Sequence, residues 1–152
     1  MRKISVIMAV AASFALTACG AKKDVDINAL TTSLQNEIVY SDELSEIPMD
    51  TALNMIYSFG DIEIPEAHIL ESSGATAEEI AVIKCANESD IEAVKSVLND
   101  RIAEQKESFE DYVPEELNKL DAAVVYTSGC VAVLSVSDEP EKAKSIIESY
   151  VK

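Results

Sequence analysis

Arg101 and Gln105 are the two polar side chains whose spacing most readily supports ligand binding. They stand four residues apart in a segment with helical periodicity, so both lie on one side of that helix, along apolar positions that lead to Tyr112. A guanidinium in such a place can hold a carboxylate or a phosphate through two hydrogen bonds. The alternative, which we favour, is that Arg101 lays its stem over the core edge and pairs with an acid of the same chain. We keep Arg101, Gln105 and Tyr112 as a candidate binding surface.

Glu78 and Glu79 are adjacent carboxylates, a residue type that performs acid–base catalysis. Adjacent residues of a strand point to opposite faces of the sheet, so these two cannot converge on one substrate. The sequence also contains no glycine-rich phosphate loop, no nucleophile elbow and no HExxH motif. We therefore predict that the protein is not an enzyme, and we assign no catalytic residue.

The region around Asp24 imitates the start of a metal site. Residues 24–28 read D-V-D-I-N, like the beginning of a calcium-binding loop. The sixth position of that loop is Ala29 where the turn needs glycine, and the twelfth is Gln35 where a bidentate glutamate is needed. His68, the only histidine, has no cysteine or histidine close to it in the sequence. The sequence therefore predicts no metal site and no cofactor.

Cys85 and Cys130 have a separation that matches neither a CxxC motif nor a zinc-ligand pattern. Both lie in apolar runs, where a free thiol behaves as a small hydrophobic side chain. In an oxidising compartment the two could instead form a disulfide. We favour buried free thiols and keep the disulfide as the alternative.

Hydrophobic residues at steps of three and four predict the helices that position these side chains. The first helix begins after Asp26, which can cap it, and a second, short helix covers residues 50–58 and stops at Gly60. Ser89 and Glu92 fit a capping box at the start of a long helix. The apolar stripe of this long helix consists of Ile91, Val94, Leu98, Ile102, Phe109 and Tyr112. A final helix follows the last strand.

Four segments rich in apolar and β-branched residues predict strands, at residues 67–72, 79–86, 122–127 and 131–136. Glycine-containing turns join them in two hairpins, whereas the acidic residues 41–48 predict a loop. Hairpins imply antiparallel neighbours, and helices with one apolar stripe must cover a sheet. We therefore predict a single α+β domain over residues 26–152, in the order α-α-β-β-α-β-β-α. Its sheet is expected to be four-stranded and mainly antiparallel, with the helices packed on one face.

The chain is strongly acidic, with 28 Asp and Glu residues against 12 Lys and Arg and a formal net charge of −16. No Lys or Arg lies between Asp24 and Ile83. Such a surface repels nucleic acid, which requires a basic footprint on its partner. The acidic excess is typical of a surface that keeps a protein soluble. The more specific alternative is that this surface binds a cationic partner.

The first 18 residues have the three parts of an export signal: the cations Arg2 and Lys3, an apolar run, and small residues at the end. The apolar run, residues 4–16, is shorter than the roughly 20 residues that span a membrane. We therefore predict that residues 1–18 are a signal peptide and not a permanent membrane anchor.

The end of this segment, Leu16-Thr17-Ala18-Cys19-Gly20, resembles the lipobox of bacterial lipoproteins. The resemblance implies a diacylglyceryl group on the Cys19 sulfur, cleavage before Cys19, and often an acyl chain such as palmitate on the new amino group. It implies a lipid-anchored protein on the extracytoplasmic side of the cell membrane, with residues 19–25 as a short tether. The alternatives are an ordinary secreted protein cut nearby and an unprocessed N-terminal helix.

A second resemblance covers the chain from roughly Val39 to its end. The residues that carry it are Ser-Gly-Ala-Thr-Ala-Glu-Glu-Ile at 73–80, Arg101, Gln105, Phe109, Tyr112-Val113-Pro114 and Gly129. They are similar to those of a family of small lipoproteins, typical of Gram-positive anaerobes, whose domain has no known function. Cys130 stands where the family pattern has an aromatic residue. The resemblance implies a fold and a location, and it implies no activity.

These observations predict a non-enzymatic, membrane-tethered module that binds a protein or a small ligand of the cell envelope. The alternative is an accessory or structural subunit of a membrane complex such as a transporter. The expected partners are the membrane, reached through the lipid anchor, and a protein or small ligand. Nucleic acid is excluded.

Overall fold

The computed structural model describes residues 24–152 of the chain. The predicted signal peptide, Cys19 and most of the tether lie outside the described residues. Within them, no helix is long and apolar enough to cross a membrane.

Helices and strands alternate irregularly along the described chain. The helices are α1 (Ile27–Glu37), α2 (Met49–Met55), α3 (Ile91–Glu110), α4 (Leu117–Asp121) and α5 (Pro140–Val151). The strands are β1 (Ser45–Ile47), β2 (Glu66–Glu71), β3 (Glu79–Lys84), β4 (Val124–Ser128) and β5 (Val131–Val136). Two single 3-10 turns, Glu88–Asp90 and Pro114–Glu116, precede α3 and α4.

All the described strands belong to one antiparallel sheet with the order β1-β2-β3-β5-β4. The predicted α+β class is confirmed, but the predicted count of four strands is wrong, because residues 41–48 contain strand β1 and are not entirely loop. This strand pairs only with β2, through contacts such as Ile47 with Ile69. It is three residues long, and only its last residue, Ile47, is apolar and half-buried, so it is too short to show an apolar alternation that a sequence pattern could detect.

Helices pack on both faces of the sheet, so the prediction that they cover one face is wrong. On one face, Ile83 and Leu134 pack in the core that α2, α3 and α4 cover. On the other face, Val82 and Val133 pack against α1 and α5. The physical reason lies in the inner strands, because every residue of β5 is buried and all but Ser135 are apolar, as is typical of a strand covered on both faces.

The predicted cap of α1 is confirmed, whereas two predictions for α3 are wrong. The Asp26 carboxylate accepts a hydrogen bond from the Ala29 N–H at 2.9 Å, which confirms the predicted cap of α1. The capping box predicted at Ser89 is wrong, because this serine lies in the 3-10 turn and no side chain caps α3. The stripe prediction is wrong for Tyr112, which lies beyond the end of α3 and is 71% exposed. The chain leaves the helix early because Pro114 disfavours helical geometry at the preceding residue.

Candidate functional site

Arg101 and Gln105 project from α3 onto the same buried carboxylate. The Arg101 guanidinium contacts Glu79 Oε2 through Nε at 3.0 Å and Nη2 at 2.9 Å, and its Nη2 also lies 2.6 Å from Glu71 Oε1. Gln105 Nε2 donates to Glu79 Oε2 at 3.3 Å. The ion pair with an acid of the same chain, which we favoured for Arg101, is therefore present. We call Arg101, Glu79, Glu71, Gln105 and Tyr57 the arginine network.

Tyr57 is the member of the arginine network that lies within the hydrophobic core. Its hydroxyl donates to the Glu79 carboxylate, and the Arg101 guanidinium carbon lies 5.9 Å from its ring centroid, within the range of a cation–π contact. Burial raises the pKa of Tyr57 well above its ordinary value, and the charge of Glu79 raises it further. Tyr57 and Glu79 are each 1% exposed, so neither can touch a substrate from solution. The network fastens α3 to β3.

Tyr112, the third residue of the candidate binding surface, is not brought to the arginine network. Its ring lies 6.5 Å from that of Phe109, and no hydrogen bond or ring contact of the described chain joins it to Arg101 or Gln105. The structure therefore brings Arg101 and Gln105 together, and both contact Glu79, a buried residue of the same chain.

A second buried network forms around Glu78. Lys119 of α4 lies with its Nζ 3.0 Å from Glu78 Oε1 and 3.2 Å from Glu116 Oε1. The backbone N–H groups of Ser41 and Asp42 also donate to the Glu78 carboxylate. Burial alone would raise the pKa of Glu78, but the hydrogen bonds from Ser41, Lys119 and Asp42 outweigh it and lower the pKa. We call these residues the lysine network, and it fastens α4 and the loop before β1 to the sheet.

An open cleft of about 420 Å³ lies where the described chain begins, where β3 ends and where β4 turns into β5. Its lining is mostly apolar and includes Val25, Cys130, Val131 and Val151. We call it the terminal cleft. Its volume falls within the range of small-molecule sites, about 300–1,000 Å³. The sequence analysis did not find it.

Charged side chains stand around the terminal cleft. Lys84 and Lys152 belong to its lining, together with Asp24 and Glu88. The Lys84 ammonium lies 2.6 Å from the Asp24 carboxylate and so ties the first described residue to the end of β3. The cleft therefore combines an apolar wall with charges of both signs, an arrangement that suits a molecule with an apolar segment and a polar end.

The two cysteines meet at this end of the sheet. Both are free thiols, and the prediction that they are buried holds for Cys85 but not for Cys130, which is half-buried. The Cys85 N–H donates to the Cys130 carbonyl at 2.9 Å, and Cys130 lines the terminal cleft. One member of the thiol pair, Cys130, therefore forms part of the wall of the terminal cleft.

His68 lies outside both networks and the terminal cleft. Its Nδ1 contacts Glu46 at 3.0 Å and its Nε2 lies 3.6 Å from Glu66. Among the described residues, no group of three or more His, Cys, Asp or Glu side chains is arranged to hold a metal ion.

Comparison with protein families places the chain beside proteins of unestablished activity. The family model described as "Domain of unknown function (DUF4358)" matches residues 41–137. The matched range contains all described strands of the sheet and every residue of both networks, and it ends before α5. No curated protein and no solved structure matches the chain.

Proposed function

We infer that this chain, which belongs to the family described as "Domain of unknown function (DUF4358)", is a lipid-anchored, extracytoplasmic binding module. In this proposal the Cys19 sulfur carries the lipid, and the domain binds a small amphiphilic molecule of the cell envelope in the terminal cleft. It performs no chemistry on that molecule. The lipobox-like sequence supports the anchor, and the terminal cleft is the single observation that supports binding.

The anchor and the cleft are close in the chain. Five residues separate the start of the mature protein from Asp24, which lines the cleft. Five extended residues reach at most roughly 18 Å, so the cleft would stand near the membrane surface. Two acyl chains give stable attachment where one does not. A molecule that leaves the extracytoplasmic surface of the membrane would therefore meet this end of the domain first.

The character of the cleft limits the ligand class. Valine side chains from the chain start, β5 and α5 form its apolar wall, which favours an acyl or similar hydrocarbon segment. Lys84 and Lys152 line the same cleft, and each pairs with a single carboxylate, Asp24 or Glu148, in a solvent-accessible contact that an anionic end of a ligand can replace. The arginine network is a poorer candidate because its guanidinium is already held by two carboxylates of the chain.

A fluorescent fatty-acid probe tests the binding proposal. The chain without residues 1–18 and with Cys19→Ser is titrated with a dansyl-labelled fatty acid, and we expect saturable binding. Val151→Asp should abolish it, because a carboxylate would stand in the apolar wall. Val39→Asp is the matched control, since Val39 is exposed and outside the cleft, and it should bind as the parent does. Circular dichroism confirms that each variant is folded. Absent binding by the parent, or equal binding by both variants, overturns the proposal.

The alternative, an accessory subunit of a membrane complex, is tested by purification from detergent-solubilised membranes. A stoichiometric protein partner that remains bound through size-exclusion chromatography would favour the accessory role. A chain that elutes alone and binds the probe supports the binding module.

A further inference from the structure

Cys85 and Cys130 occupy directly opposite positions on neighbouring antiparallel strands. The register of β3 and β5 ends with Lys84 opposite Val131, and the next step along the ladder places Cys85 opposite Cys130. The hydrogen bond from the Cys85 N–H to the Cys130 carbonyl, at 2.9 Å, continues the ladder at that step. Opposite residues have Cα atoms about 4.5–5.5 Å apart, within the 4.4–6.8 Å window of disulfides.

The two side chains lie on the same face of the sheet and meet there. Opposite residues on paired strands point to the same side, and both cysteines pack with the core that α3 covers. The Cys85 thiol lies 3.3 Å from the Cys130 carbonyl oxygen. Burial raises the pKa of the Cys85 thiol, and the adjacent Cys130 thiol raises it further. The two sulfur atoms are therefore neighbours, as the two backbones are.

The two thiols differ in access. Cys85 is 2% exposed, whereas Cys130 is half-buried and lines the terminal cleft. A molecule from solution therefore reaches Cys130 first, and only Cys130 can then reach Cys85. This order is the one that thiol–disulfide exchange needs, with an accessible attacking cysteine and a protected resolving cysteine.

We propose that Cys130 and Cys85 form a thiol–disulfide exchange site in the wall of the terminal cleft. The deprotonated Cys130 sulfur attacks a low-molecular-weight disulfide, forms a mixed disulfide and releases one thiolate. The deprotonated Cys85 sulfur then attacks the Cys130 sulfur and displaces the second thiolate. The protein gives up two protons and two electrons, and the small disulfide is reduced to two thiols. A small thiol reverses both steps.

The product is a cross-strand bond that joins the end of β3 to the turn between β4 and β5. The Cys130 sulfur is then held against Cys85, so the wall of the terminal cleft has two alternative shapes. The exchange site rests on the register of β3 and β5 and on the different exposure of the two cysteines. Only the expectation that the oxidised form prevails in the cell rests on the proposed extracytoplasmic location, where disulfides persist.

Glutathione exchange followed by mass spectrometry tests the site on the full mature protein in detergent. Native protein is incubated with oxidised glutathione, and remaining thiols are then alkylated under denaturing conditions. We expect both thiols to disappear together, with a peptide pair linked through Cys85 and Cys130, and reduced glutathione should restore both. Cys85→Ala should stop at one glutathione adduct on Cys130. Cys130→Ser should leave the Cys85 thiol unmodified over the same time.

Three outcomes overturn the inference: a stable glutathione adduct on wild-type Cys130, modification of Cys85 in the Cys130→Ser variant, or two thiols that remain unmodified in the wild type. Thermal unfolding of both variants is compared with wild type to show that each is folded. Failure here leaves the probe titration unaffected, since that experiment tests the apolar wall through Val151 and does not depend on a disulfide. Conversely, absent probe binding leaves the disulfide count unchanged.

Discussion

Glu78 and Glu79 are neighbours in the chain, yet their carboxylates enter separate buried ion networks, one with Lys119 and one with Arg101. Strand alternation sends the two side chains in opposite directions at the start of β3. The first carboxylate holds α4 and the loop before β1, and the second holds α3. One dipeptide therefore fixes the position of two helices relative to the sheet.

Arg101→Ala should lower the free energy of unfolding by about 3–5 kcal/mol, because it leaves the Glu79 carboxylate buried without its countercharge. Lys106→Ala is the matched control on the same helix. Its ion pair with Asp121 is exposed, so its loss should cost about 0–1 kcal/mol. Urea unfolding at pH 7 measures both, and equal effects would contradict a structural role for the arginine network.

Glu78→Gln should destabilise the domain at neutral pH and lose this effect in acid. Because folding lowers the pKa of Glu78, its ionised form contributes stability above the unfolded glutamate pKa of about 4.3. That contribution disappears as the pH falls through the lower folded pKa. Urea unfolding of both proteins at a series of pH values should show a difference that is steady above about pH 5 and shrinks below about pH 4. A difference that grows on acidification would refute the assignment.

Asp26→Ala and Ser89→Ala should have different effects on stability. Asp26 accepts a hydrogen bond from the first turn of α1, so its loss should cost about 1 kcal/mol. Ser89 lies in the 3-10 turn and makes no capping bond to α3, so its replacement should change the free energy of unfolding by less than about 0.5 kcal/mol. Thermal unfolding of the two variants tests both expectations. A Ser89→Ala variant that loses as much stability as Asp26→Ala would support the predicted capping box.

Leu98→Ala should destabilise by about 2–5 kcal/mol, because Leu98 is fully buried between α3 and the sheet. Met55→Ala removes a side chain of similar size that is 81% exposed, and it should have little effect. Chemical denaturation distinguishes them. Similar midpoints for the two variants would show that the face of α3 is misassigned.

Cys19→Ala should abolish incorporation of a labelled fatty acid and leave the precursor uncleaved. The expectation rests on the resemblance of residues 16–20 to a lipobox. Cys85→Ala is the control and should be labelled as wild type is. Label that persists on the Cys19 variant would remove the lipid anchor from the proposed function.

The sequence predicts the elements better than their arrangement. Periodicity identifies α1 and α3, and the run at residues 131–136 predicts β5 with the same limits as the structure. Strand β1 is missed because it has only three residues, of which Ile47 alone is apolar, and so few residues carry no periodic pattern. The helices on the second face follow from the nearly continuous apolar run of β5, which only Ser135 interrupts. This signal is present in the sequence, but a run of six residues does not by itself show whether one or both faces are covered.

The site is harder to predict than the elements. The pairing of Arg101 with Glu79 joins residues 22 positions apart, and periodicity cannot choose this carboxylate among 28 acids. The terminal cleft is assembled from four distant parts of the chain, which include Val25, Lys84, Cys130 and Val151. None of these parts has a motif, because each contributes two to four ordinary residues to a shape that exists only after folding.

The central position of β5 has a consequence for the order of events in the cell. This strand comes from residues 131–136, close to the C-terminus, yet it lies between β3 and β4 in the sheet. Helices α1 and α5 also close on each other at the two ends of the domain, where Ser33 and Tyr150 share a hydrogen bond of 2.7 Å. A growing chain therefore lacks an interior strand of its sheet until synthesis is nearly finished, and contacts of such long range form slowly. Until residues 131–136 are made, β4 has no partner strand and one edge of β3 is unpaired, so the sheet cannot be completed.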